Sequence, residues 1–324
     1  PYTTLFRSKG VNNLVMKANR AFASVKIFSS KLKNISPSVL FKIFDVQLKP
    51  ILLYGSEIWG VHKWESVERF HFQYCKYVLG VSYKCSNVAV LADCGRNYIH
   101  VDILQRVIKY WFKLLELQEN RYPKQCYKML CKLDAVGRHT WASAVKKILF
   151  LYGFGYVWEA QGVADKVAFM YTFVNRIYDC YVQNLFSDIN STSSLDFYSH
   201  IKQTFCMEPY LINIKSKDLR RRITLLRIGA LSIRKNTGRR EGIPRCCRFC
   251  QLCKEHIIED EFHFLFKCPV FNEIRKKYIP NIPDHVDLVY LYNVLKHQKL
   301  ETVSAFSHFI RDASVLRNEL LNSK

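Results

Sequence analysis

Residues 245–269 read RCCRFCQLCKEHIIEDEFHFLFKCP. Cys247 and Cys250, two residues apart, can pinch one metal ion through a tight turn. His263 and Cys268 arrive from a second segment and complete a set of four ligands. A structural zinc site takes four nitrogen or sulfur ligands in a tetrahedron, so the spacing predicts Zn2+ held by Cys247, Cys250, His263 and Cys268. Cys246, Cys253 and His256 lie in the same window, and Cys250 and Cys253 repeat the two-residue spacing. Pro269 disfavours helix at Cys268. This predicts a short helix with His263 towards its end and Cys268 just beyond it. Without a metal, the same thiols would pack as small apolar groups in a buried turn.

Working outward, the chain has 324 residues, 49% apolar and 14% aromatic. It can bury large cores and is not of the disordered class. Its 49 basic and 27 acidic residues leave a net charge of +22, an excess that favours polyanions such as RNA or DNA. No apolar run approaches the roughly 18 residues that span a bilayer, so no membrane partner is expected. Seven of the twelve cysteines are scattered among apolar helical patterns. That pattern predicts reduced thiols and an intracellular setting, nucleus or cytoplasm. The other five crowd into 246–268, as a metal site requires.

The rest of the chain reads as mainly α. Apolar residues recur at helical spacing over 11–33, after Ser36-Pro37, past Trp64, over 86–95 with Gly95 as C-cap, and over 99–115. Further helices are expected from Pro123, over 141–152 closed by Gly153, over 163–186, 195–205 and 270–278, and in the last stretches 288–296 and 304–321. Lys49-Pro50 marks a kink or boundary, followed by the apolar block ILLYGSEIWG, which reads as a buried helix joint. The aromatic stripe over 163–186 reads as core rather than as a base-stacking platform. Weak strands are possible near 210–214 and 228–233.

Residues 211–245 hold eleven Lys and Arg against two acids. Guanidinium forks suit phosphates because they make bidentate charge-assisted bonds. The candidate nucleic-acid-binding residues are Lys215, Lys217, Arg220, Arg221, Arg222, Arg227, Arg234, Lys235, Arg239 and Arg240. Leu219, Ile223, Leu226 and Ala230 would bury the opposite face of a helix. A metal-pinned loop directly after this segment would hold it rigid and lower the entropy lost on binding.

FDVQLKPILLYGSEIWG, residues 44–60, resembles the segment just after the polymerase core in non-LTR (LINE-type) retrotransposon reverse transcriptases. The likeness is sharp over 40–60 and looser around Ala92–Arg96 and Lys109–Trp111. It returns in the Cys/His window, where R-x-C-x-x-C and I-E-D-E-x-H-F-L-x-x-C-P are similar to the C-terminal region of those proteins. The resemblance implies a thumb-like segment over 1–60, a helical connector over 61–190 and a basic helical segment over 191–245. A CCHC zinc module over 246–280 and C-terminal helices over 281–324 would follow. It implies a grip on template RNA and target DNA, with the polymerase core of the parent protein as a partner upstream of Pro1. The start at Pro1 rather than Met is read as that of a fragment. Cys246 and Cys253 depart from the family pattern.

Polymerisation by two metal ions needs paired carboxylates, and the sequence contains no Asp-Asp dipeptide. No catalytic residue is therefore assigned, and the chain alone is expected to be inactive as a polymerase. The acidic run Glu259-Asp260-Glu261 is expected to cap the helix carrying His263 rather than to hold Mg2+. The competing reading is an independent helical scaffold whose zinc module docks another protein.

Overall fold

A computed structural model describes residues 2–32, 34–280, 283 and 285–323. Lys33, at the end of the first expected helix, lies outside the described residues, as do Asn281, Ile282, Asp284 and Lys324 of the C-terminal segment. The fold is mainly α, and no strand forms among the described residues. No described helix is long and apolar enough to cross a membrane. The chain separates into two compact units built from non-consecutive stretches. One comprises Pro1–Lys31, Phe41–Phe72 and Asn97–Asn184. The other comprises Leu32–Leu40, Gln73–Arg96 and Leu185–Lys324. The division is not one of simple chain order.

In the first unit, the helix that starts at Pro37 runs without a break into a π-turn over Phe44–Leu48 and on through Lys49–Leu52. The wider turn is how the helix passes Pro50, which has no N–H to donate and whose ring crowds the preceding turn. The expected kink is thus a bulge in a continuous helix. Gly55 then takes a left-handed conformation at φ +65°, and the short helix Ser56–Trp59 follows. The Trp59 indole donates to the Tyr54 carbonyl at 2.9 Å. A Cβ at Gly60 would lie 2.1 Å from Ile103 Cγ2, so only glycine fits. Each fixed residue of YGSEIWG therefore has a packing or backbone reason.

The helix Ile99–Glu116 buries Ile103, Val107, Ile108 and Trp111 on one face. Its N-terminal amides at Ile99 and His100 are capped from outside by the buried carboxylate of Glu68, at 3.2 and 2.8 Å. That carboxylate meets the positive end of the helix. Burial nonetheless pushes Glu68 above the usual carboxylate range. The Trp111 indole donates to the Tyr127 hydroxyl, which donates to Gln161. In the long helix Lys166–Ser191, Phe169 and Phe173 pack against Phe154 and, for Phe169, Phe112. The aromatic stripe is core along that edge, while Tyr171 is exposed.

The second unit is assembled around charge. The helix Asn87–Cys94 is apolar except for Asp93, which is fully buried. Arg227, at the end of the helix Lys217–Arg227, is also fully buried. Its Nη2 lies 3.2 Å from Asp93 and 2.9 Å from Glu208, and its Nη1 donates to the Leu295 carbonyl at 2.7 Å. Tyr198 and Tyr210 donate to the two Asp93 oxygens at 2.7 and 2.8 Å. Lys202 and Gln298 complete the shell around Glu208. Two cations and two carboxylates thus share one dry network. Burial pushes the Asp93 carboxyl up, but Arg227 and Lys202 outweigh it and hold it below its ordinary range. Gly95 is φ +60°, and a Cβ there would lie 2.3 Å from the Met207 amide nitrogen. Segment 209–213 is a short helix rather than a strand, opened by Pro209 at its first position.

Arg227→Met leaves Asp93 buried without its main counter-charge. We expect a cost of about 3–5 kcal/mol near neutral pH, read by urea unfolding. In the parent chain the depressed Asp93 contributes stability above its unfolded value of 3.8, lost as pH falls through the lower folded value. In the variant, burial raises the carboxyl, so the deficit narrows as the pH is taken towards about 4. A deficit that does not change with pH would contradict the ion pair.

Candidate metal centre and basic surface

Four ligand atoms, from Cys250, Cys253, His263 and Cys268, lie within 4.8 Å of one another and can hold a metal ion. Around a tetrahedral ion with sulfur at about 2.3 Å, ligand atoms stand roughly 3.8 Å apart, so the cluster fits one ion. All four ligand atoms are buried, although Cys253 as a residue keeps some surface.

Local backbone explains the convergence. Phe249 and Ile258 form an antiparallel bridge. Cys250 N–H donates to Ile257 O at 2.8 Å, and Glu259 N–H to Arg248 O at 3.0 Å. Cys250 and Cys253 lie in the loop that this pairing closes, turned by His256 at φ +51°. On the other side, Asp260 Oδ1 accepts the His263 amide at 2.8 Å and caps a helical turn. That turn is a π-turn over His263–Lys267, and Cys268 N–H bonds back to His263 O at 2.8 Å. The five-residue bond sets His263 and Cys268 one turn apart on the same side. His263 Nε2 is 3.5 Å from Cys253 Sγ. His263 Nδ1 is buried with no hydrogen-bond partner among the described residues, so no hydrogen bond through Nδ1 explains the ring's burial.

The sulfurs already behave as thiolate acceptors. Cys250 is pulled down, to about 3, by a hydrogen bond from Cys268 first; burial opposes this, and His263 and the amides of Cys253 and Leu252 add to it. Cys268, as the donor of that bond, is pushed up well above its ordinary value. Burial raises Cys253.

Two sequence expectations are corrected here. Cys247 is not in the cluster and Cys253 takes its place. Cys247 closes the 3-10 turn Arg245–Cys247 ahead of the bridge, exposed, with its sulfur 3.7 Å from that of Cys246. His263 lies near the start of its helical turn rather than the end, because Asp260 caps it three residues upstream. The acidic run has other tasks. Arg317 grips Glu259 through two bonds of 2.9 and 2.7 Å, and Glu259 also accepts the Arg234 amide. Glu261 pairs with Lys235 at 2.6 Å. These contacts and the cluster Phe264–Phe271–Phe309 seat the Cys/His segment on the helix Leu300–Asn322.

The ten basic candidates fall into three groups. Arg227 and Arg220 are buried, so neither can reach a phosphate. Arg227 sits in the charge network, and Arg220 donates to the carbonyls of Ile214, Lys215 and Ile35. Arg222, Arg234 and Lys235 are half-buried and paired with Asp218, Glu241 and Glu261. Lys215, Lys217, Arg221, Arg239 and Arg240 have no carboxylate partner among the described residues; Arg221 lends its Nε to the Gly80 carbonyl at 2.8 Å. Comparison with family descriptions, curated proteins and solved structures returns no match.

Purified in metal-replete medium, the chain should carry about one transition-metal ion per molecule by elemental analysis. Cys253→Ser and Cys268→Ser should each lower that content, and Cys247→Ser should leave it unchanged. Loss of metal with Cys247→Ser but not with Cys253→Ser would contradict the assigned ligand set.

Proposed function

We propose that this chain is the nucleic-acid-gripping, C-terminal part of a LINE-type reverse transcriptase. In this reading Cys250, Cys253, His263 and Cys268 hold Zn2+ as a structural pin. A donor set of three sulfurs and one imidazole suits zinc, and closed four-ligand sites are structural rather than catalytic. Residues 44–60 and the Cys/His window supply the family likeness, and the net charge of +22 supplies the attraction to a polyanion. The observation that carries the reading is the set of five cations without carboxylate partners within 215–240, directly ahead of the metal centre. A solvated helix face normally interleaves acids with its bases; here the acids present are already engaged. Phosphate contacts of this kind position a strand without reading its sequence. Polymer synthesis itself would belong to a polymerase core elsewhere in the parent protein.

Fluorescence anisotropy with labelled single strands tests this. Five phosphate contacts predict that affinity falls on the order of 10^2- to 10^3-fold between about 50 and 200 mM salt. Lys215→Gln with Lys217→Gln should lower the log–log salt slope by about two. Binding that is absent, or insensitive to salt, contradicts the proposal.

A further inference from the structure

The second unit contains a cavity of about 380 Å3 whose lining includes Lys84, Arg221, Arg239 and Arg240. No Asp or Glu lines it. None of these four cations forms an ion pair with a carboxylate among the described residues. Burial first, then the neighbouring Arg248 and Arg240, hold the Arg239 guanidinium below its ordinary pKa. Positive charge is therefore crowded here without local compensation. Ser82, Ser194 and Ser232 add hydroxyl donors, and Ser86 lines the wall as N-cap of the helix Asn87–Cys94. The positive end of that helix adds to the field. The remaining wall is apolar, with Leu195, Leu225 and Ile228.

We propose that this cavity binds one nucleotide unit, its phosphate on Arg221, Arg239, Arg240 and Lys84 and its nucleoside against Leu195, Leu225 and Ile228. The volume lies within the range of about 300–1,000 Å3 found for small-molecule sites. Guanidinium forks bind phosphate oxygens in pairs, and serine hydroxyls satisfy the oxygens left over. The nucleotide can be one residue of a bound strand or a free nucleoside phosphate; the chemistry recognised is the same. As part of a strand site, the inference rests on the nucleic-acid reading above, and adds a discrete pocket to a diffuse basic surface.

The test uses the full chain, with isothermal titration of inorganic phosphate and of adenosine 5′-monophosphate. Anisotropy with oligothymidine, with and without a 5′-phosphate, completes it. Arg239→Gln with Arg240→Gln is compared with the charge-matched control Lys109→Gln with Lys113→Gln, whose residues are exposed and lie outside the cavity. Circular dichroism checks that both variants fold. The proposal expects saturable binding of the monophosphate, at least tenfold weaker in the cavity variant and within about twofold in the control. Tighter binding of the 5′-phosphorylated strand than of the free nucleotide assigns the pocket to a strand terminus; equal binding assigns it to nucleotides in general. Absence of monophosphate binding, or equal losses in both variants, overturns the pocket. If oligothymidine still binds in that case, the broader nucleic-acid reading survives; if nothing binds, both fail.

Discussion

The second unit depends on one interaction, the contact of Arg227 with Asp93 at zero solvent exposure. An isolated buried charge costs several kcal/mol, so neither residue is tolerable there without the other. Around this pair the chain brings together the helices Asn87–Cys94, Asp196–Ile201, Pro209–Asn213 and Lys217–Arg227, with the Leu295 carbonyl from the helix Leu288–His297. Tyr198, Tyr210, Lys202 and Gln298 satisfy the remaining oxygens. A network of this kind is favourable only when complete. Its directional bonds also fix the rotation of the 217–227 helix. Arg220, Ile223, Thr224 and Arg227 all face the interior, at the spacing of one helical face.

That rotation sorts the basic segment. Arginines on the inward face become structural, and those on other faces stay available to anions. Downstream, residues 245–257 have little apolar surface to bury, and most are exposed. A hairpin with one bridge is marginal by itself. Two things hold this segment in place: Glu259 with the aromatic cluster on one side, and the four converging ligands on the other. In metal-bound modules of this size, binding free energy is largely folding free energy.

Much of this was legible in the sequence. Helical spacing, Ser36-Pro37, Gly95 and Gly153 place most helices, because caps and apolar faces act locally. The crowding of five cysteines in one window places the metal centre. Choosing Cys253 over Cys247 was not legible from spacing, since both offer the same two-residue separation from Cys250. The choice rests on the bridge between Phe249 and Ile258, and a single paired residue leaves almost no sequence signal. Arg220 and Arg227 looked like surface charge because their partners lie far away in the chain. The available clue was Asp93, a lone acid in the apolar run NVAVLADC, which demands a buried cation. The π-turn at Pro50 could be expected only as an interruption, because the way a helix accommodates proline depends on what packs around it.

The central claim is that four particular side chains share one metal ion. X-ray absorption at the metal edge of the purified chain tests it most directly. The account predicts a first shell of three sulfurs at about 2.3 Å and one nitrogen at about 2.0–2.1 Å. A shell of four sulfurs, a shell of light atoms alone, or no stoichiometric metal edge would contradict it.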